Sequence, residues 1–154
     1  MVLIASGSEV SLAMEAAAVL SKEHNVRVVS MPSWELFEKQ PEAYRKEVLP
    51  PECRARLAIE AGCSFGWRKY IGDCGRTGCL DHFGASAPYK VLAEKFGFTV
   101  QNVVSAAKEM AAAAAKGAPS GPPMPTPGAP KADLPKPPMP SDPPSPAVDV
   151  PEMK

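Results

Sequence analysis

Apolar residues in the first part of the chain fall by turns into short unbroken runs and into helical spacing. These are the two patterns that predict buried strands and amphipathic helices. Val2 to Ala5 is a short apolar run that predicts a strand. Gly7-Ser8 turns the chain, and Ser8 stands where it can cap a helix. In that helix Val10, Ala13, Met14, Ala17 and Leu20 share one face. Val26 to Met31 is rich in β-branched residues and ends at Pro32, which favours an extended Met31. Ser33 is placed to cap a short helix through Phe37. Pro41 suits the first turn of another helix, which Pro50-Pro51 stops.

Leu57 to Glu60 predicts a third strand, and Ser64 to Ile71 a short aromatic helix or turn. Gly72 to Gly78 reads as a polar, glycine-rich loop, and Cys79 to His82 as a weak fourth strand. Pro88 opens a helix that carries Val91, Leu92 and Phe96 inward, with Gly97 as its C-cap. Thr99 caps the last helix, whose stripe is Val100, Val103, Val104, Ala107 and Ala111; Gly117 with Pro119 ends it. Strands separated by helical segments pair in parallel through crossovers. The expected fold is therefore α/β, a three-layer α/β/α domain with a mainly parallel sheet of about four strands.

Composition divides the chain near Gly117. Of the 19 prolines, only Pro32, Pro41, Pro50, Pro51 and Pro88 precede that point. The segment after it has no aromatic residue and few branched apolar ones, so it cannot bury enough surface to offset its ordering entropy. The expected organisation is a folded domain over residues 1–117 and a disordered Pro/Ala-rich tail with polyproline II character over residues 118–154. Pro-x-x-Pro spacings in the tail, such as Pro127 to Pro130, lack a basic residue at the offset an SH3-type ligand needs.

Charge excludes some partners. The chain has 17 Lys plus Arg and 17 Asp plus Glu, a net charge of +0, so nothing global draws it to nucleic acid or an anionic membrane. No apolar run approaches a bilayer span. Met1 to Gly7 lacks a preceding basic region and reads as a strand, not a signal peptide. Cys53, Cys63, Cys74 and Cys79 form no Cys-x-x-Cys pair, and reduced thiols of a cytoplasmic protein are expected.

Several residues carry candidate chemistry. Gly84-Ala85-Ser86-Ala87-Pro88 comes close to a nucleophile elbow, but Pro88 stands where a small residue is needed, so Ser86 and Pro88 more readily start a helix. Gly72-Asp73-Cys74, with Asn102 downstream, is reminiscent of the diphosphate-and-metal motif Gly-Asp-Gly…Asn. Cys74 replaces its second glycine, and the usual Asn-Asn pair is missing. Cys74, Cys79 and His82 offer three metal ligands at irregular spacing with no evident fourth, and Cys74 and Cys79 could instead pair reversibly. Gly7-Ser8 could present helix amides to an anion or form a plain N-cap. Trp34, Phe37, Phe65 and Trp67 could line a pocket or partner surface, although core packing is the commoner role.

Three segments carry a family resemblance. Leu3-Ile4-Ala5-Ser6-Gly7-Ser8-Glu9-Val10 resembles the opening of the transketolase C-terminal domain. Val26 to Glu38, with Met31-Pro32-Ser33-Trp34-Glu35-Leu36-Phe37, is similar to its second strand-to-helix junction. Ile59-Glu60-Ala61-Gly62, Phe65-Gly66-Trp67 and Phe83 to Val104 follow in the family's order. The resemblance covers almost everything before Gly117. It implies the C-terminal-domain fold without that domain's first, antiparallel edge strand, which would leave a sheet edge open.

Transketolases move a two-carbon ketol unit between sugar phosphates with thiamine diphosphate and Mg2+ or Ca2+. The family's cofactor lies between its N-terminal and middle domains, which have no counterpart in this sequence. The resemblance therefore implies no catalytic, cofactor-binding or metal residue here and no cofactor bound by this chain. It implies a structural, dimer-forming or regulatory role beside the remaining transketolase domains or a second subunit in a homodimer. The expected setting is the cytoplasm, with a plastid as the alternative. A stand-alone, non-catalytic binding or assembly module with a recruiting proline tail is the second expectation, and a small hydrolase using Ser86 the third.

Overall fold

The computed structural model describes residues 1–118 and Met124. Strand β1 (Val2–Ala5) leads into α1 (Glu9–Leu20), β2 (Arg27–Ser30), α2 (Trp34–Glu38) and α3 (Glu42–Val48). The chain continues through β3 (Arg56–Glu60), α4 (Arg68–Ile71), β4 (Arg76–Cys79), α5 (Tyr89–Lys95) and α6 (Val100–Ala115). The four strands form one sheet in the order β2-β1-β3-β4, and every neighbouring pair is parallel. Register sets Ile4 beside Val29 on one side and beside Ala58 on the other.

Alternation along the strands feeds two separate cores. Leu3, Ala5, Leu57 and Ile59 face one layer, where α1 and α6 pack with Phe96 and Phe98. Val2, Ile4 and Ala58 face the other, with Met31, Leu49, Trp67, Tyr70 and Ile71. Leu3, Ile4, Leu57 and Ile59 are each 0% exposed. Full burial of such a side chain stabilises by about 1.5–3 kcal/mol, so these strand residues anchor both layers. The three-layer α/β/α fold with a parallel sheet follows as expected.

Local signals hold in part. The Ser33 hydroxyl accepts from the Leu36 N–H, and the Thr99 hydroxyl from that of Asn102, so both caps form as expected. Gly97, at φ 78, closes α5 by giving its N–H to Glu94 while Phe98 donates to Ala93. Ser8 does not cap α1; its hydroxyl donates to the Glu9 carboxylate instead. The α1 core face is Ala13, Ala16, Ala17 and Leu20, and Met14 points to solvent. Small residues let α1 lie close against α6, and the bulkier Met14 is left outside. Val91, expected inward on α5, is also exposed.

The fourth strand lies three residues earlier than expected, over Arg76–Cys79 rather than Cys79–His82. Leu57 pairs with Arg76 and Glu60 with Cys79. The shift takes Gly78 out of the expected loop and into the sheet. The expected disordered tail, residues 118–154, lies outside the described residues apart from Ala118 and Met124. Met124 is 1% exposed and belongs to the α1–α6 core. No helix among the described residues is long and apolar enough to cross a membrane.

Candidate functional site

The chain leaves β1 towards β2 and later returns to place β3 on the other side of β1, so the strand order reverses at the β1–β3 pair. In open parallel sheets such a reversal opens a crevice beyond the carboxyl ends of the strands. A cleft of about 310 Å³ lies there. Ser6 comes from the end of β1, Met31 to Glu35 from the end of β2, Glu60 from the end of β3, and Cys63 and Trp67 from the loop that follows.

Its geometry is set by short-range physics. The Ser6 hydroxyl donates to the Glu60 carboxylate across the two strand ends. The Met31 N–H donates to the Ala5 carbonyl at 2.8 Å, which continues the β1–β2 ladder to the cleft floor. Trp34 meets Trp67 edge to face with ring centroids 5.2 Å apart. Gly66 allows that packing: it holds φ +90, and a Cβ on it would stand 2.5 Å from the Trp34 ring. The Glu35 backbone N–H and the Ser33 hydroxyl hold the Glu35 carboxyl below its usual range. Among the described residues, the lining presents two carboxylates, two hydroxyls and a thiol against indole, with no Lys or Arg. Such a surface accepts hydrogen bonds but cannot neutralise a phosphate or diphosphate.

The other candidates are placed apart and tied to structural partners. Ser86 is exposed, and no described hydrogen bond involves it. The His82 ring Nδ1 contacts the Phe83 carbonyl at 2.9 Å, the ring packs on Phe96 with centroids 5.2 Å apart, and no described hydrogen bond joins it to Ser86. Asp73 pairs with Arg54 at 2.9 Å, and that cation holds its carboxyl below the usual range. The Asn102 amide donates to the Gly97 carbonyl at 3.1 Å, inside the α5–α6 turn. Glu9, buried at 6% exposure, occupies the first turn of α1 beside Gly7-Ser8, where its charge repels an incoming anion.

All four thiols are free, with Cys74 and Cys79 buried. Burial, with Asp81 and Glu60 nearby, pushes the Cys79 thiol up to about 12. Among the described residues no group of three or more His, Cys, Asp or Glu is placed to hold a metal. Trp34, Phe37 and Trp67 pack around Tyr70 as core. Phe65 is 86% exposed, and Phe83 on the neighbouring loop is 95% exposed. The two loops are joined where Leu80 donates to Gly62 and Ser64 to Asp81.

Two features escaped the sequence reading. The Ser6–Glu60 contact spans 54 positions and needs the sheet register to exist. Arg56 directs its guanidinium and Nε to the carbonyls of Leu49, Pro50, Cys53 and Tyr70, fastening the loop before β3 to α4. An arginine opening an apolar strand was its single sequence signal.

Residues 1–99 match the family described as the transketolase-like C-terminal domain. The chain is 55% identical over 111 residues to a transketolase of Halalkalibacterium halodurans, covering 71% of this chain and 17% of that protein. It is 55% identical over 109 residues to the Bacillus subtilis transketolase, covering 70% and 16%. Among solved structures it resembles the transketolase of Leishmania mexicana, with TM-score 0.65, 50% identity and coverage of 72% of this chain and 16% of that one. It also resembles a Pichia stipitis transketolase in complex with sedoheptulose-7-phosphate, with TM-score 0.64, 36% identity and coverage of 81% and 18%. The chain thus spans about one-sixth of the length of the curated relatives it matches.

Proposed function

Because this chain belongs to the transketolase C-terminal-domain family, we propose that it acts as the C-terminal domain of a transketolase, with a structural, dimer-forming or regulatory role and no catalytic centre of its own. Transfer of a two-carbon ketol unit between sugar phosphates is then the work of the assembled enzyme. The observation that carries this reading is the match of residues 1–99 to the C-terminal-domain family, at high identity to much longer relatives.

The site chemistry supports it. Thiamine diphosphate needs a metal and cationic or amide partners for its diphosphate. The residues present do not fit that group. Among the described residues the cleft has no basic lining residue, Glu9 stands in the first turn of α1, and Asp73 pairs with Arg54. Calorimetric titration of thiamine diphosphate with Mg2+ into the chain should show no binding; tight, magnesium-dependent binding would overturn the reading.

The partner in this reading is the remainder of a transketolase or a second subunit. Phe65 and Phe83 support it, since two nearly fully exposed phenylalanines on joined loops mark a surface normally covered. Mixing the chain with a Bacillus subtilis transketolase lacking its own matched region should give co-elution, and separate elution would count against it. The same pair equally favours a second reading, a stand-alone binding module. That reading gains if the chain is recovered with another protein and not with transketolase domains.

A further inference from the structure

Among the described residues β4 is an edge of the sheet, yet Met124, nine residues beyond α6, is buried against it. The Met124 N–H donates to the Thr77 carbonyl at 2.8 Å, the geometry by which a further chain segment pairs with an edge strand. Its side chain fills the space over Gly78, where an added Cβ would lie 2.7 Å from the Met124 Cε and 3.2 Å from its Sδ. A glycine in a strand marks a close approach of this kind, and methionine is the side chain best able to fill an irregular notch.

The sequence around Met124 sharpens this. Met124 stands in Pro122-Pro123-Met124-Pro125. Proline has no backbone N–H, so Met124 holds the sole amide donor of the four residues, and that donor is the one used. A proline-flanked segment docks with little loss of chain entropy and offers no further donors for strand pairing. The same four residues recur at Pro137-Pro138-Met139-Pro140.

We propose that the Thr77–Gly78 edge of β4 is a docking site for a methionine set between prolines, filled in this chain by Met124. The second copy of the motif is a ligand of the same chemistry, available to the same notch when Met124 is absent. The site does not depend on the transketolase reading: β4 lies within the matched segment 1–99, but the residue that fills the notch, Met124, lies outside it.

Thermal unfolding of four full-length chains tests the site: the unchanged protein, Gly78→Val, Met124→Ala and the double variant. Each single change should lower Tm by roughly 5–15 °C. In the double variant the valine occupies the space the methionine leaves, so its Tm should equal or exceed that of Met124→Ala. Fully additive losses would overturn the site.

A labelled synthetic peptide of residues 133–143 tests the motif. It should bind the Met124→Ala/Met139→Ala chain at least tenfold more tightly than the unchanged chain. Gly78→Val introduced into that variant should abolish binding, as should Asp in place of the peptide's methionine. Equal binding to all chains, or no binding to any, would overturn recognition of the repeated motif.

Discussion

The Ser6 hydroxyl donates to the Glu60 carboxylate at 2.5 Å, tying the carboxyl ends of β1 and β3 at the place where the strand order reverses. A hydrogen bond to a charged group contributes about 1.5–3 kcal/mol when sheltered and less where water competes. Ser6→Ala should therefore cost about 1–2 kcal/mol in urea unfolding. Ser6→Ala combined with Glu60→Ala should cost less than the two single changes summed, because both remove the same contact.

Arg56 should be the most sensitive polar residue of the fold. Its guanidinium and Nε donate to four carbonyls, those of Leu49, Pro50, Cys53 and Tyr70, and the Pro50 carbonyl also accepts from the Cys53 N–H. Arg56→Lys keeps the charge but loses the planar fork. A destabilisation of about 2–4 kcal/mol is expected in urea unfolding, close to that of Arg56→Met.

Acid should weaken the Arg76–Glu109 pair. The Glu109 carboxylate lies 2.7 Å from the Arg76 guanidinium, whose side chain is buried. The hydrogen bond from Arg76, and then its charge, hold the Glu109 carboxyl below its usual range. A folded pKa below the unfolded one gives a contribution that is complete above the ordinary glutamate value of about 4.3 and is lost as pH falls through the folded value. Tm should thus fall between about pH 5 and pH 2, and less steeply in Glu109→Gln. Part of the slope should remain in that variant, because Glu23, Glu38, Glu42, Asp73 and Asp81 are shifted in the same direction.

Thiol labelling should separate the cysteines. Cys63 is exposed, whereas Cys74 and Cys79 are buried and Cys79 is pushed up to about 12. A thiol that far above neutral pH holds almost no reactive thiolate. Mass spectrometry after brief alkylation near pH 8 should find Cys63 modified first, with Cys74 and Cys79 modified only after denaturation. Cys63→Ser should remove the fast phase.

Much of the architecture was legible because it rests on short-range rules. Hydrophobic runs marked β1 and β3, Ser33 and Thr99 marked helix starts, and Gly97 marked a helix end. Faces were less legible. Met14 and Val91 satisfy helical spacing yet are exposed, and on α1 the buried face is Ala13, Ala16 and Ala17 beside Leu20. The site candidates drawn from motifs were separated by the fold: Asp73 went to Arg54, Asn102 to a turn, and Ser86 to the surface. The cleft that did form uses Ser6 and Glu60, which no local pattern links.

The amino-acid sequence by itself determined the alternation of strand and helix, the parallel α/β class and the family, since each is written in contiguous residues. Only the tertiary structure decided which residues meet. Sheet register brought Ser6 to Glu60 and Arg56 to four carbonyls. It also placed Gly78 within β4, where the missing side chain leaves room for Met124. Periodicity scores a glycine as a break in a strand, whereas packing can use it as room for a partner.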